Sequence, residues 1–250
     1  MKVVYSKDFN MSYCSDPAAA FGRIEAVYSV IREKVTIVDA VPAAEADIAA
    51  VHTRNHLEMV RREGIYEIAA LAAGGAVQAA QIGLKEPCFA LIRPPGHHAS
   101  AGSSWGFCYF NNIAIALEKL KTAGLIETAM VLDFDLHFGD GTVNILGTKG
   151  YVKIYNPSSA NRKDYLQGVQ SFLEGGRADI IGISAGFDNH VEDWGGLLQT
   201  ADYREMGRMV REAALRNKGG FFAVLEGGYN HRVLGQNVMA LITGMEGADA

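Results

Sequence analysis

Asp135 and His137 stand two residues apart in Asp133-Phe134-Asp135-Leu136-His137-Phe138-Gly139-Asp140-Gly141, and Asp188 ends the stretch Ser184-Ala185-Gly186-Phe187-Asp188. At the end of an extended strand, residues two apart project to the same side, so Asp135 and His137 can face Asp188 from a second strand. Two carboxylates and an imidazole are metal ligands, and three ligands leave the open position of a catalytic site. With no thiolate in the set, Zn²⁺, Fe²⁺ and Mn²⁺ all remain compatible. The tandem His97-His98 supplies candidates for general base and acid, with Asp133 and Asp140 available to orient them. Tyr229, on the turn Glu226-Gly227-Gly228-Tyr229, offers a phenol that can donate to a developing oxyanion. Together these groups could run a hydrolysis in which a metal polarises a carbonyl and activates water. Taken singly, each has a plainer reading: an aspartate capping a helix, a histidine or tyrosine satisfied in the core. Ser184 and Cys108 lack a nucleophile-elbow context and read as structural.

These clusters need a common platform. Short apolar runs at 88–92, 130–134, 151–155, 180–184 and 221–225 lack strict alternation and read as strands buried on both faces, and residues 1–5 read as a further strand. Helices are expected at 23–34, where Ile24, Val27, Tyr28 and Ile31 form one stripe, and at 65–84, 112–121, 163–174, 203–217 and 233–243. Strands alternating with helices imply right-handed crossovers and a largely parallel sheet between helices: an α/β layered fold in one domain, 1–250. Each polar cluster directly follows one of these strands, at 93–98, 133–141, 184–188 and 226–229. All four therefore gather at the carboxyl edge of the sheet, where open α/β folds bind ligands.

Composition narrows the classes of function. A net charge of -5 gives no basic field for nucleic acid. No apolar run approaches the roughly 20 residues of a membrane span, and the amino terminus does not read as a signal peptide, so a cytoplasmic protein is expected. Cys14, Cys88 and Cys108 form no CxxC pair, which argues against a disulfide framework and a thiolate zinc site.

The motifs Arg93-Pro94-Pro95-Gly96-His97-His98-Ala99, Gly106-Phe107-Cys108-Tyr109-Phe110-Asn111-Asn112, Ser184-Ala185-Gly186-Phe187-Asp188 and Leu225-Glu226-Gly227-Gly228-Tyr229 occur in the order in which they mark the histone deacetylase family. The chain resembles that family, including its relatives acting on acetylpolyamines, from about 52 to 243. The resemblance implies the arginase-deacetylase fold and a zinc-dependent deacylase acting on a small acylated amine or acyl-lysine. It further implies zinc ligands at Asp135, His137 and Asp188, proton transfer by His98 with Asp140, and an electrostatic role for His97 with Asp133. Tyr229 would be the catalytic tyrosine, and Phe107 one wall of the substrate tunnel, with Gly106 and Gly228 beside the substrate. A structural K⁺ would sit at the Asp133 side chain and the carbonyls around Asp135 and His137.

Departures from the family pattern carry expectations of their own. Phe138 replaces a second histidine, predicting more apolar surroundings. Asp16-Pro17-Ala18-Ala19-Ala20-Phe21 stands where relatives carry His-Pro-Glu-Arg, predicting that polar lining there is largely missing. Glu63-Gly64-Ile65-Tyr66 is short where relatives have a long loop, and no second aromatic wall is found between 156 and 165. An open, shallow pocket, or one completed by another subunit, is expected. Two rivals remain: an arginase-type ureohydrolase, which needs more bridging carboxylates than Asp188-Asn189-His190 supplies, and a non-catalytic acyl-ligand or metal-binding protein. His190, next to Asp188, is expected to point away from the metal.

Overall fold

The computed structural model describes residues 1–247. Its strands are β1 (Lys2–Tyr5), β2 (Thr36–Asp39), β3 (Cys88–Ala90), β4 (Ala129–Asp133), β5 (Val152–Tyr155), β6 (Ile180–Ala185) and β7 (Gly220–Leu225). Among the described residues they form one sheet in the order β2-β1-β3-β7-β6-β4-β5, every pairing parallel. Every residue of β3, β4, β6 and β7 is buried, which is why these runs are continuously apolar rather than alternating. The 151–155 run departs from the expectation of burial on both faces: as β5 it closes one edge of the sheet and keeps partial exposure along its length.

The helices are α1 (Arg23–Ile31), α2 (Glu45–Ala49), α3 (Arg54–Arg62), α4 (Tyr66–Gly83), α5 (Asn112–Thr122), α6 (Asp140–Leu146), α7 (Arg162–Glu174), α8 (Thr200–Asn217) and α9 (His231–Glu246). They flank the sheet: α4 lies on β1, β3 and β7 and packs on α5, while α8 lies on β6 and β7 and packs on α9, which packs on α1. No helix among the described residues is long and apolar enough to cross a membrane. Sequence periodicity locates six helices to within a few residues but misses β2, α2, α3 and α6. β2 is a partly exposed edge strand, and α3 buries only His56, Leu57 and Val60 of nine residues. α6 starts at Asp140 inside the polar cluster and runs seven residues, too short for an apolar stripe to show.

Register sets the strand ends level. Asp133 lies beside Ser184, which lies beside Val224; Ala185 pairs with Leu225, and Ala90 with Val224. The residues following each strand therefore emerge at one height along the carboxyl edge. Caps then tie the loops down: the Asn111 side chain accepts from Ala114 N at the start of α5 and donates to Ala99 O and Thr142 Oγ1.

Candidate metal centre

The loop after β4 folds on its own carboxylates. Asp135 Oδ1 accepts from His137 N at 3.0 Å and from His137 Nδ1 at 3.2 Å, while Asp135 Oδ2 accepts from Gly227 N at 2.8 Å. From β6, Asp188 Oδ1 accepts from Leu136 N at 3.1 Å. A side chain at Gly227 could not exist here, because its Cβ would lie 2.5 Å from Asp135 Oδ2 and 2.8 Å from Asp188 Oδ2. Asp135, His137 and Asp188 each present a donor atom within 4.8 Å of the other two.

His137 Nδ1 also lies 3.1 Å from Asp188 Oδ2, but one N–H cannot point at both carboxylates, and Asp188 Oδ2 is buried without a hydrogen-bond donor. The hydrogen bond to Asp135 and the close approach of the Asp188 carboxylate push the His137 pKa up to about 10. Burial, then the charge of Asp135, pushes Asp188 up to about 6. Burial acts to raise Asp135 too, but the His97 charge and bonds from His137 and Gly227 hold it below the usual carboxylate range. Two buried anions and one imidazole, with an unsatisfied oxygen facing the shared space, fit a divalent cation.

The tandem histidines come from the loop after β3. His97 Nδ1 donates to Asp133 Oδ2 at 3.1 Å, and its Nε2 lies 3.7 Å from Asp135 Oδ1. Burial pulls the His97 pKa down, but the charges of Asp135 and Asp133 outweigh it and hold it well above 6.5. Burial also pushes Asp133 up. His98 differs: its Nδ1 donates to Asp140 Oδ1 at 2.7 Å, and burial, reinforced by His97, lowers its pKa to about 4. The pKa values of these adjacent histidines are thus shifted in opposite directions.

Glu226, whose place in the sequence gives no hint of this, joins three strand ends. Its buried carboxylate accepts from Gly96 N, His97 N and Ser184 Oγ, at 2.7, 3.3 and 3.1 Å. Burial raises its pKa to about 7. His97, Cys108 and Glu226 also group closely, but Glu226 already spends both oxygens on these donors. Cys108 is buried, with its Sγ accepting from His98 N, and Ser184 donates to Glu226; neither lines the cavity described below.

None of residues 16–23 lines the cavity described below, but Arg23, two residues beyond the Asp16–Phe21 segment, supports the site from behind. Arg23, fully buried in the first turn of α1, donates Nε to Gly228 O at 2.8 Å and another nitrogen to Glu226 O. It thereby holds the turn carrying Tyr229. Sequence periodicity places Arg23 only as the start of a helix; its burial depends on a contact 205 residues away.

Tyr229 N and Asn230 N donate to Asp193 Oδ2, both at 2.8 Å, and Trp194 stacks on the Tyr229 ring at 4.0 Å. Phe107 meets Tyr229 edge-on at 6.0 Å, and Gly228, at φ 113°, makes the turn. Burial raises the phenol pKa, so it stays protonated. Gly106, at φ 59°, is pressed on His98: a Cβ would lie 2.4 Å from His98 Cδ2.

A cavity of about 120 Å³ is lined by His97, His98, His137 and Tyr229 together with Trp105, Phe107 and Trp194. The chain's two tryptophans therefore both stand at this pocket. Trp194 supplies the second aromatic wall that was sought between 156 and 165, and the walls come from this chain itself. Phe138 is exposed and does not line this cavity. His190 points away: its Nδ1 accepts from Glu192 N, and its Nε2 meets Thr200 Oγ1. A larger cavity, about 370 Å³ between α8 and α9, is lined by none of the strand-end residues.

The family model described as "Histone deacetylase domain" matches residues 18–165 and 147–245. A "Probable deacetylase" of Archaeoglobus fulgidus is 32% identical over 87% of this chain and 76% of its own length. A "Histone deacetylase-like amidohydrolase" of Pseudomonas aeruginosa is 29% identical over 88% of this chain and 73% of its own. Among solved structures, one titled "Crystal Structure of HDA15 HD domain" superposes with a TM-score of 0.82, covering 98% of this chain and 89% of that one at 24% identity. That likeness shows the fold.

Proposed function

Because this chain belongs to the histone deacetylase family, we propose that it hydrolyses the amide of a small acylated amine or acyl-lysine with a divalent metal ion, zinc by resemblance, held by Asp135, His137 and Asp188. The observation that carries the reading is the convergence of those three donors on one buried space, with an unsatisfied Asp188 oxygen turned into it beside His98 and Tyr229. When bound, the metal supplies Lewis acidity that polarises the acyl carbonyl and acidifies water.

The chain's own residues do the rest. His98, neutral and with Nδ1 engaged by Asp140, turns its free Nε2 to the pocket and takes the water's proton. His97, bonded through Nδ1 to Asp133 and with its pKa raised by the neighbouring carboxylates, is placed to stabilise negative charge developing on the carbonyl. Tyr229 donates its phenolic proton in a hydrogen bond to the oxyanion, from a ring held by Trp194 and by Asp193 below its backbone. A cavity near 120 Å³ suits a short acyl chain with the amine extending past Phe107 and Gly106; Gly227, rather than the expected Gly228, lines it. The structural K⁺ implied by the resemblance would take the Asp133 side chain and the carbonyls around Asp135 and His137.

The test is mass-spectrometric release of free amine by metal-reconstituted protein from a mixture of acetyl-lysine peptides, acetylpolyamines and other small acyl amides. Asp188→Ala is expected to lose both bound metal, measured by elemental analysis, and turnover. Metal-loaded wild type that binds these amides and releases nothing would instead identify a non-catalytic acyl-ligand protein.

A further inference from the structure

We propose that Trp105 is a positioning residue that fixes Asp140, and through it the His98 ring, for proton transfer; this rests on the deacylase reading above. Trp105 Nε1 donates to Asp140 Oδ2 at 2.9 Å, while His98 Nδ1 donates to Asp140 Oδ1 at 2.7 Å. Each oxygen of one carboxylate is therefore claimed by a different ring, and the three side chains form a closed unit. The indole also lies flat on the imidazole it orients indirectly, with centroids 3.8 Å apart at 29°.

Without the indole, Asp140 would be an ordinary surface carboxylate: its side chain is 42% exposed, whereas that of His98 is 3% exposed. A water molecule could replace the N–H, but mobile water would not set the rotamer of the carboxylate, and the His98 tautomer depends on where Asp140 Oδ1 sits. Trp105 itself is 54% exposed, a poor place for an indole whose only task is to fill space.

The loop is shaped to bring it there. Cys108 N donates to Trp105 O, and Ser100 N to Ser103 O, closing turns on either side of the indole. Phe107 adopts φ 68°, a left-handed conformation that costs a non-glycine residue on the order of 1 kcal/mol or more. Gly106 in between permits direct contact with His98. His52 Nε2 accepts from Asn111 N and His56 meets Tyr109 O, so the far end of the loop is anchored to buried histidines.

Trp105→Phe keeps an aromatic face on His98 and deletes only the N–H. It is expected to lower kcat roughly ten-fold, the scale of one hydrogen bond to a charged group, with KM unchanged within about two-fold. In an Asp140→Asn background the same substitution should add less than about two-fold, because the effect passes through that carboxylate. A rise in KM at constant kcat, or effects that multiply, would make Trp105 a substrate wall and overturn the proposal. A readout independent of turnover is the imidazole spectrum of ¹⁵N-histidine-labelled, metal-loaded protein. The His98 Nδ1–H resonance should be slow to exchange in wild type and broadened in Trp105→Phe; an unchanged resonance overturns the proposal. If the wild type releases no amine from any acyl amide, the deacylase reading fails while this spectrum still decides what Trp105 does.

Discussion

Tyr229→Phe separates oxyanion stabilisation from every other function of the site. Nothing in the surroundings depends on the hydroxyl: the ring is held by Trp194 stacking and the Phe107 edge, and the backbone by Asp193. The phenol makes no hydrogen bond within the described residues, so its removal leaves no protein group unsatisfied and should shift the midpoint of urea unfolding little. The metal donors Asp135, His137 and Asp188 are untouched. What is lost is one donor at the cavity, worth about 3 kcal/mol in the transition state, or on the order of 10²–10³ in kcat. The assay is steady-state amine release on the best substrate of the mass-spectrometric screen, with metal content measured on the same sample. KM is expected to change by no more than about three-fold, since ground-state contacts persist. A kcat within about five-fold of wild type, at full metal occupancy, would refute the assignment of the oxyanion role to this phenol.

Two further outcomes follow from buried polar groups. Arg23→Met removes the donors to Gly228 O and Glu226 O, leaving buried carbonyls unpaired, and should cost about 3 kcal/mol in urea unfolding together with activity, as the Tyr229 turn loosens. An unfolding midpoint equal to wild type would show that the carbonyls find other partners. His52 is buried, accepts from Asn111 N through Nε2, and has its pKa lowered to about 3 by burial and by His56. The unfolded chain takes up that proton near pH 6.5, so His52 contributes stability that is complete above about pH 6.5 and is lost as pH falls toward 3. His52→Gln should therefore show a shallower loss of unfolding free energy between pH 6.5 and 4 than wild type, and parallel curves would exclude the histidine as the cause.

Much of the architecture could be inferred from local pattern. Continuous apolar runs identified β3, β4, β6 and β7 because strands buried on both faces have no polar side to alternate with. The same rule misjudged β5, since a short apolar run carries no mark of lying at the edge of a sheet. The candidate metal donors could be grouped from sequence because Asp135 and His137 are two residues apart and Asp188 ends another buried run, so parallel pairing alone brings them near one another.

Tertiary structure decided everything that depends on a partner distant in sequence. Arg23 meets Gly228 across 205 residues, Glu226 meets Gly96 across 130, and Trp105 meets Asp140 across 35. Local patterning records whether a residue faces the core, but not which buried acceptor a guanidinium will find or which ring an indole will cover. The contrast between His97 and His98 has the same origin. Identical side chains, adjacent in sequence, have pKa values shifted in opposite directions because one turns toward two buried carboxylates and the other toward a single half-exposed one, and only the folded chain sets those directions.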